Sequence, residues 1–326
     1  MLPAAIALLA GCTALHPPLP STSVDPHFVP PQQPYKLALV LSSGTLRGFA
    51  HFGVLSELRA NGIVPDLIVG TSAGAMVGAL IASGLTDTEL VEVVERMDVN
   101  YLRDWTVPRL GLLGGQSLHD FIDRRAKYHV IEEFPIAFAA VAVEAERTCL
   151  QVFNAGDPGK AAQASSTVPV ILTPPRINGR RYLDGALASP LPVRVARALG
   201  AEKIIAVDVT LDPAERHFAN ILEAYWRTTL VMHRVLAINE RADADYTLVP
   251  QLPPEFMIKY DMRHQIVESG RDAVRQNLHS IQLAMKAPAK ALPRALHPSL
   301  ASVKCPELQI GEQVSATPTA HVRPAQ

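Results

Sequence analysis

The sequence predicts a single α/β domain, a three-layer α/β/α architecture with a mostly parallel central sheet. Three observations predict it. Aliphatic runs of strand length recur along the chain, and each is followed by a segment with apolar residues at helical spacing. That alternation is the pattern of strands joined by crossover helices, with a sheet covered on both faces. Two loops of small residues, at 42–48 and 70–74, fall at strand-to-helix junctions. The composition, 48% hydrophobic and 19% charged over 326 residues, suits a chain that buries a large core.

Each element has its own signal. Lys36 to Leu41 is a short aliphatic run and reads as a buried strand. Phe49, Phe52, Leu55 and Leu58 recur at helical spacing, and Asn61-Gly62 supplies a left-handed stop. Leu67 to Val69 is a second strand, followed by a helix of small residues to about Ser83. Thr86 with Glu89 forms a capping box for a helix whose inner face is Leu90, Val94 and Met97. Ser117 is the expected cap of another helix. Ile136 to Val143 and Cys149 to Phe153 read as strands, and Asn178-Gly179 as a hairpin turn. Pro192 to Leu199 is a helix ended by Gly200, and Ile204 to Val209 a strand. Ile221, Leu222, Tyr225, Thr229, Met232 and Leu236 mark a long helix. Tyr246 to Val249 and Val267 to Leu278 close the domain as strand and helix.

The 27 prolines crowd the two ends of the chain, where neither helix nor ladder forms. This divides the chain into a Pro-rich tether at 12–34, one domain at 35–285 and a Pro-rich tail at 286–326. With 30 basic and 31 acidic side chains there is no cationic field, so nucleic acid is not an expected partner. No internal apolar run reaches membrane-spanning length. Asp, His and Cys never recur at ligand spacing, so neither a metal nor a cofactor is expected. Cys149 and Cys305 read as two separate thiols.

Gly70-Thr71-Ser72-Ala73-Gly74 matches G-x-S-x-G at a strand-to-helix junction. The chemistry needs that geometry: a tight turn lifts the serine oxygen clear of the sheet, and flanking glycines let backbone pass close by. The serine also sits at a helix N-terminus, where the dipole favours developing negative charge. In the loop from Ser42 to Gly48, the amides of Gly44 and Thr45 can face an oxyanion. The spacing fits neither dinucleotide nor P-loop patterns. Arg47 stands near a helix start, where a cation opposes the dipole. It therefore has an anionic partner or lies in solvent. Asp184-Gly185-Ala186 ends an apolar stretch, and a carboxylate there can point into a cleft as a general base.

Taken in order, the Arg47-Gly48 loop, the Gly70–Gly74 elbow and Asp184-Gly185-Ala186 resemble the patatin-like phospholipase family. The flanks Phe49 to Leu55, Pro190 to Val193 and Val207 to Val209 resemble it too. The resemblance covers residues 35–280. It implies a patatin-like domain that hydrolyses fatty-acyl esters of phospholipids or lysophospholipids. It also implies a Ser–Asp dyad, with Ser72 as nucleophile, Asp184 as its direct base, and Gly44 and Thr45 as the oxyanion hole. Ser42, Ser43 and Thr45 stand where the family commonly has glycine, and Ser189 where it often has asparagine. These departures motivate an alternative, a weakly active or inactive patatin-fold protein that binds lipid or a partner. A further alternative is an α/β-hydrolase triad completed by His217, His233, His264 or His279.

Leu9-Ala10-Gly11-Cys12 follows an apolar N-terminus and resembles the lipobox of bacterial lipoproteins. The resemblance implies a signal peptide at 1–11, lipidation of Cys12 and anchoring in the cell envelope. With Thr13 rather than Asp after the cysteine, the outer membrane is the expected address.

Overall fold

The computed structural model describes residues 24–97, 104–106, 110–211, 221–253 and 260–290. Cys12, His217, Cys305 and the Pro-rich tail beyond 290 lie outside the described residues. The elements are, in order, β1 (Tyr35–Leu41), α1 (Phe49–Ala60), β2 (Leu67–Thr71), α2 (Ala73–Ala82), α3 (Asp87–Arg96), β3 (Gly111–Leu113) and α4 (Gln116–Asp123). There follow β4 (Ala137–Glu144), β5 (Cys149–Phe153), α5 (Pro158–Ser165), β6 (Val170–Leu172), β7 (Arg176–Ile177) and β8 (Arg180–Asp184). The last are α6 (Val193–Ala198), β9 (Ala201–Val207), α7 (Ile221–Arg241), β10 (Tyr246–Leu248) and α8 (Arg263–Lys286).

The main sheet runs β10-β9-β1-β2-β4-β8-β7, with β5 also paired to β4. The pairs from β10 through β4 are parallel, whereas β5, β7 and β8 pair antiparallel. The pleat divides the apolar strand residues between two layers. Leu39, Leu41, Ile68, Phe138, Ile205 and Val207 face one core, together with α1, α2, α3 and α8. Their neighbours Ala38, Val40, Leu67, Val69, Ala139 and Ile204 face the other, together with α6. Burial on both faces explains why these strands read as continuous apolar runs rather than alternating ones.

Helix ends follow their chemistry. Thr86 and Glu89 make both bonds of the capping box, and Asn178 and Gly179 take the positive φ values of 50° and 80° that a tight hairpin needs. Ser117 is not the cap of α4. Gly115 begins that helix, and Asp104 reaches in from outside it to accept from the Gly115 and Ser117 amides at 2.9 and 3.1 Å. A distant carboxylate thus does the work expected of the local serine. Cys149 is disulfide-bonded, which corrects the reading of an idle thiol. Residues 24–34 lie against the domain, with a bridge from His27 to Ala155 and an ion pair from Asp25 to Lys160.

α1 and α8 approach each other closely, backbone to backbone. A Cβ on Gly53 would lie 1.8 Å from the Val267 carbonyl oxygen, and one on Gly270 2.1 Å from that of Ala50. Backbone cannot yield as a side-chain tip can. Gly53→Ala is therefore expected to destabilise the domain by about 3 kcal/mol or more. Gly62→Ala meets open space and only a left-handed backbone penalty of about 1 kcal/mol. Denaturant midpoints of the two variants check the contrast.

Candidate active site

The register of β4 brings two chain ends together. Thr71, the last residue of β2, pairs with Val141, and Asp184, the last residue of β8, pairs with Ala142. β5 pairs with Ala140 to Glu144 and takes up the opposite edge of β4. β2 and β8 therefore share one edge, run toward each other, and end at adjacent residues of β4. Ser72 is the first residue past one end and Asp184 stands at the other. The Ser72 hydroxyl donates to Asp184 Oδ2 at 2.8 Å, and both side chains are buried.

Ser72 has φ 55° and ψ −121°, a backbone conformation that costs a non-glycine residue about 1–3 kcal/mol. The flanking glycines make the turn possible. A Cβ on Gly70 would lie 2.3 Å from the Gly74 carbonyl oxygen, and one on Gly74 would lie 2.2 Å from that of Leu41. α2 begins at the next residue, so the hydroxyl sits at a helix N-terminus. The Ser72 amide donates to Ser165 Oγ at 2.9 Å, and that hydroxyl donates to the Val141 carbonyl at 2.6 Å. Ser165 thereby ties the elbow to α5 and β4.

Asp184 is pushed up to about 6 by burial, against the opposing pull of the Ala186 amide and the Ser72 hydroxyl. The Ala186 amide donates to Oδ1 at 2.8 Å. The Asp184 amide donates to the Thr167 carbonyl at 2.8 Å, and a Cβ on Gly185 would strike the Val141 carbonyl oxygen at 2.1 Å. A carboxylate held this way is fixed in place and only lightly solvated. The downstream histidines lie elsewhere: His233 within α7, His264 beside Glu95 on α8, and His279 on the exposed side of α8. None of these three hydrogen-bonds Ser72 or Asp184.

The loop after β1 is pinned at its base. The Ser42 amide donates to the Val207 carbonyl at 3.1 Å and the Ser43 amide to that of Pro190 at 2.8 Å. His51 is fully buried, and burial lowers it to about 4, so it is neutral at neutral pH. Its Nε2–H donates to the Ser42 carbonyl at 3.0 Å. Gly44 is extended, and Thr45 takes φ 50°, a strained value for a β-branched residue. Thr45 to Gly48 form a 3₁₀ turn closed by the Arg47 amide on the Gly44 carbonyl, which leaves the first amides of the turn without acceptors inside it. Gly48 packs on Ala73, where a Cβ would come within 2.8 Å of the alanine methyl. This sets the turn against the first residue of α2. Arg47 is half-buried. Its Nε and Nη1 donate to the carbonyls of Val209 and Pro253, each at 2.9 Å, and the charge of Asp208 favours its ionised form.

Beside the elbow lies a small apolar pocket, with about 40 Å³ of room, open on one side. Thr45, Leu46, Ala73, Met76, Val77 and Phe121 are among its lining residues. The structure thus brings Ser72, Asp184, Gly44, Thr45, Gly48, Gly70, Gly74 and Gly185 to one place, with Arg47 bracing the loop from behind. The sequence gave no sign of Ser165 or of the His51 bond to the Ser42 carbonyl. A helix signal for α5 was present in Asp157, which caps the Lys160 amide, and in Pro158 at its first turn.

Residues 39–197 match the family model described as patatin-like phospholipase. A protein of the NTE family from Mycobacterium tuberculosis is 31% identical over 176 residues, which are 53% of this chain and 49% of that one. The lysophospholipase NTE1 of Candida albicans is 27% identical over 198 residues, which are 58% of this chain and 14% of that one. The chain therefore spans about half the length of the mycobacterial relative and far less of the fungal one. Among solved structures, VipD from Legionella pneumophila superimposes with a TM-score of 0.50 at 13% identity, over 76% of this chain and 67% of that one. That likeness concerns the fold.

Proposed function

We propose, from the premise that this chain carries a patatin-like phospholipase domain, that it is a serine acyl hydrolase acting on fatty-acyl esters of phospholipids or lysophospholipids. The observation that carries the proposal is the buried 2.8 Å hydrogen bond from Ser72 to Asp184, beside an apolar pocket. In this reading Ser72 Oγ attacks the ester carbonyl while Asp184 takes its proton. The amides of Gly44 and Thr45 hold the oxyanion. The intermediate collapses, Asp184 returns the proton to the leaving alcohol, and the acyl group stays on Ser72. Water, deprotonated by Asp184, then releases the fatty acid and restores the serine. The acyl chain lies in the pocket over Met76, Val77 and Phe121. The fungal relative's name supports a lysophospholipid as one substrate.

Mass-spectrometric profiling of a mixed lipid extract tests the reading. The wild type is expected to release free fatty acid together with the matching lysophospholipid or glycerophospho head group, and Ser72→Ala to release neither. Lipid bound by both proteins with no product from either favours the binding alternative.

We further propose that Cys12 is lipidated and holds the domain at the outer membrane, where the substrate is concentrated. The Leu9–Cys12 sequence supports this. Cys12→Ser is expected to move the protein from the membrane to the soluble fraction, and unchanged partitioning overturns the proposal.

A further inference from the structure

Three segments meet at the site: the end of β2 before Ser72, the turn after Asp184, and the loop before Gly44. One short stretch touches all three. The Ser189 amide donates to the Gly185 carbonyl at 2.9 Å. The Ser189 carbonyl accepts from the Thr71 hydroxyl at 2.8 Å. The adjoining Pro190 carbonyl accepts from the Ser43 amide at 2.8 Å. Ser189 and Pro190 therefore link the segments carrying nucleophile, base and oxyanion hole, though neither touches a reacting atom.

What holds this stretch is a carboxyl from α7. The Ser189 hydroxyl donates to Glu240 Oε1 at 2.6 Å, and the Arg194 amide at the start of α6 donates to Glu240 Oε2 at 3.2 Å. Glu240 lies near the end of α7 and is 5% exposed. Arg194 directs its guanidinium to Asp243 instead, at 2.7 Å. Burial raises the Glu240 carboxyl to about 7, against the pull of the Ser189 hydroxyl and the Arg194 amide. A buried carboxyl that spends its acceptors on one serine and one helix start restrains whatever that serine is joined to.

We propose that Glu240 is a positioning residue of the hydrolytic site, acting through Ser189 to keep Ser72, Asp184 and the Gly44–Thr45 amides in register. The proposal rests on the Ser72–Asp184 reading above. Misplacement of reacting groups by a fraction of an ångström lowers turnover more than it lowers acyl binding, because neither Ser189 nor Glu240 lines the apolar pocket.

The test is steady-state hydrolysis of p-nitrophenyl butyrate by the full chain. Glu240→Ala and Ser189→Ala are each expected to lower kcat about tenfold or more with KM within about twofold. Glu240→Gln is expected to recover at least half of the wild-type kcat, since its amide can donate to Ser189 Oγ while its carbonyl accepts from the Arg194 amide. The double alanine variant should be no worse than the poorer single one, because the two residues act as one link. Folded alanine variants with unchanged kcat overturn the inference, as does a loss that appears in KM alone. If Glu240→Ala does not fold, Ser189→Ala decides, since it removes only one buried hydroxyl. Ser72→Ala and Asp184→Asn run alongside. If those two retain activity the dyad reading falls, whereas if they are dead and Ser189→Ala is fully active only this inference falls.

Discussion

Ser72→Ala is expected to abolish ester hydrolysis, with a loss on the order of 10⁴-fold or more, and to abolish covalent labelling by a fluorophosphonate probe. In the proposed mechanism this hydroxyl is the group that forms the acyl-enzyme. Its donor bond to Asp184 is also what connects it to a base. The variant keeps the fold, because alanine occupies the same backbone and only one hydrogen bond is removed. It does leave Asp184 Oδ2 short of a buried partner, at about 1–3 kcal/mol. The strained φ of 55° remains in alanine. Ser72→Gly relieves that strain, worth about 1–3 kcal/mol, and loses about 0.4–1 kcal/mol through the freer unfolded chain. The glycine variant should therefore melt above the alanine variant while being equally inactive. Equal labelling of Ser72→Ala and the wild type would refute the nucleophile assignment.

The central strands and the long helices were legible because their residues answer to one force. β1, β2 and β4 are covered on both faces, so almost every side chain in them is apolar, and the run itself is the signal. α5 was not legible in the same way. Its buried face is largely alanine, including Ala161, Ala162 and Ala164, and alanine carries little periodic contrast. β3 and β6 are three residues each, too short to show any period. Asp104 was missed as the α4 cap because it stands 11 residues before the amide of Gly115, where no local rule looks.

The site divides along the same line. Its first parts are written locally, since a turn where a Cβ would come within 2.2 Å of another carbonyl admits only glycine and leaves a mark such as Gly74. Its supports are single polar side chains with no motif around them. Ser165 lies 93 residues from Ser72, Ser189 lies 118 from Thr71, and Glu240 lies 51 from Ser189. Only the β4 register and the seating of α7 bring them together. Arg47 was partly legible. The dipole argument saw that a cation there needs compensation; the Asp208 charge supplies part of it, and the carbonyls of Val209 and Pro253 take its hydrogen bonds.

Asp184→Asn is expected to lower kcat/KM by about 10³–10⁴-fold and, at pH 7, to make the protein more stable. The first effect follows from geometry. Asparagine still accepts from the Ala186 amide, but its second group is an amide that donates, so the Ser72 proton has no acceptor. The second follows from linkage. The Asp184 carboxyl is raised from 3.8 to about 6 on folding, chiefly by burial. Its contribution to stability is therefore fully present below pH 3.8 and is lost as pH rises through about 6. At pH 7 the native state holds a buried carboxylate at a disadvantage of about 3 kcal/mol relative to the neutral acid. Asparagine is neutral throughout, so Asp184→Asn should lose less stability than the wild type between pH 4 and 7, and its melting point should be the higher one at pH 7. Activity should move the opposite way. The base works only when ionised, so wild-type kcat/KM should rise with pH through an apparent value near 6. Any residual activity of the asparagine variant should lack that limb. Thermal melts and pH–rate profiles of both proteins read all of this. An Asp184→Asn variant that is less stable at pH 7, or that keeps more than about a tenth of the rate, would mean that the carboxylate is structural and not the base.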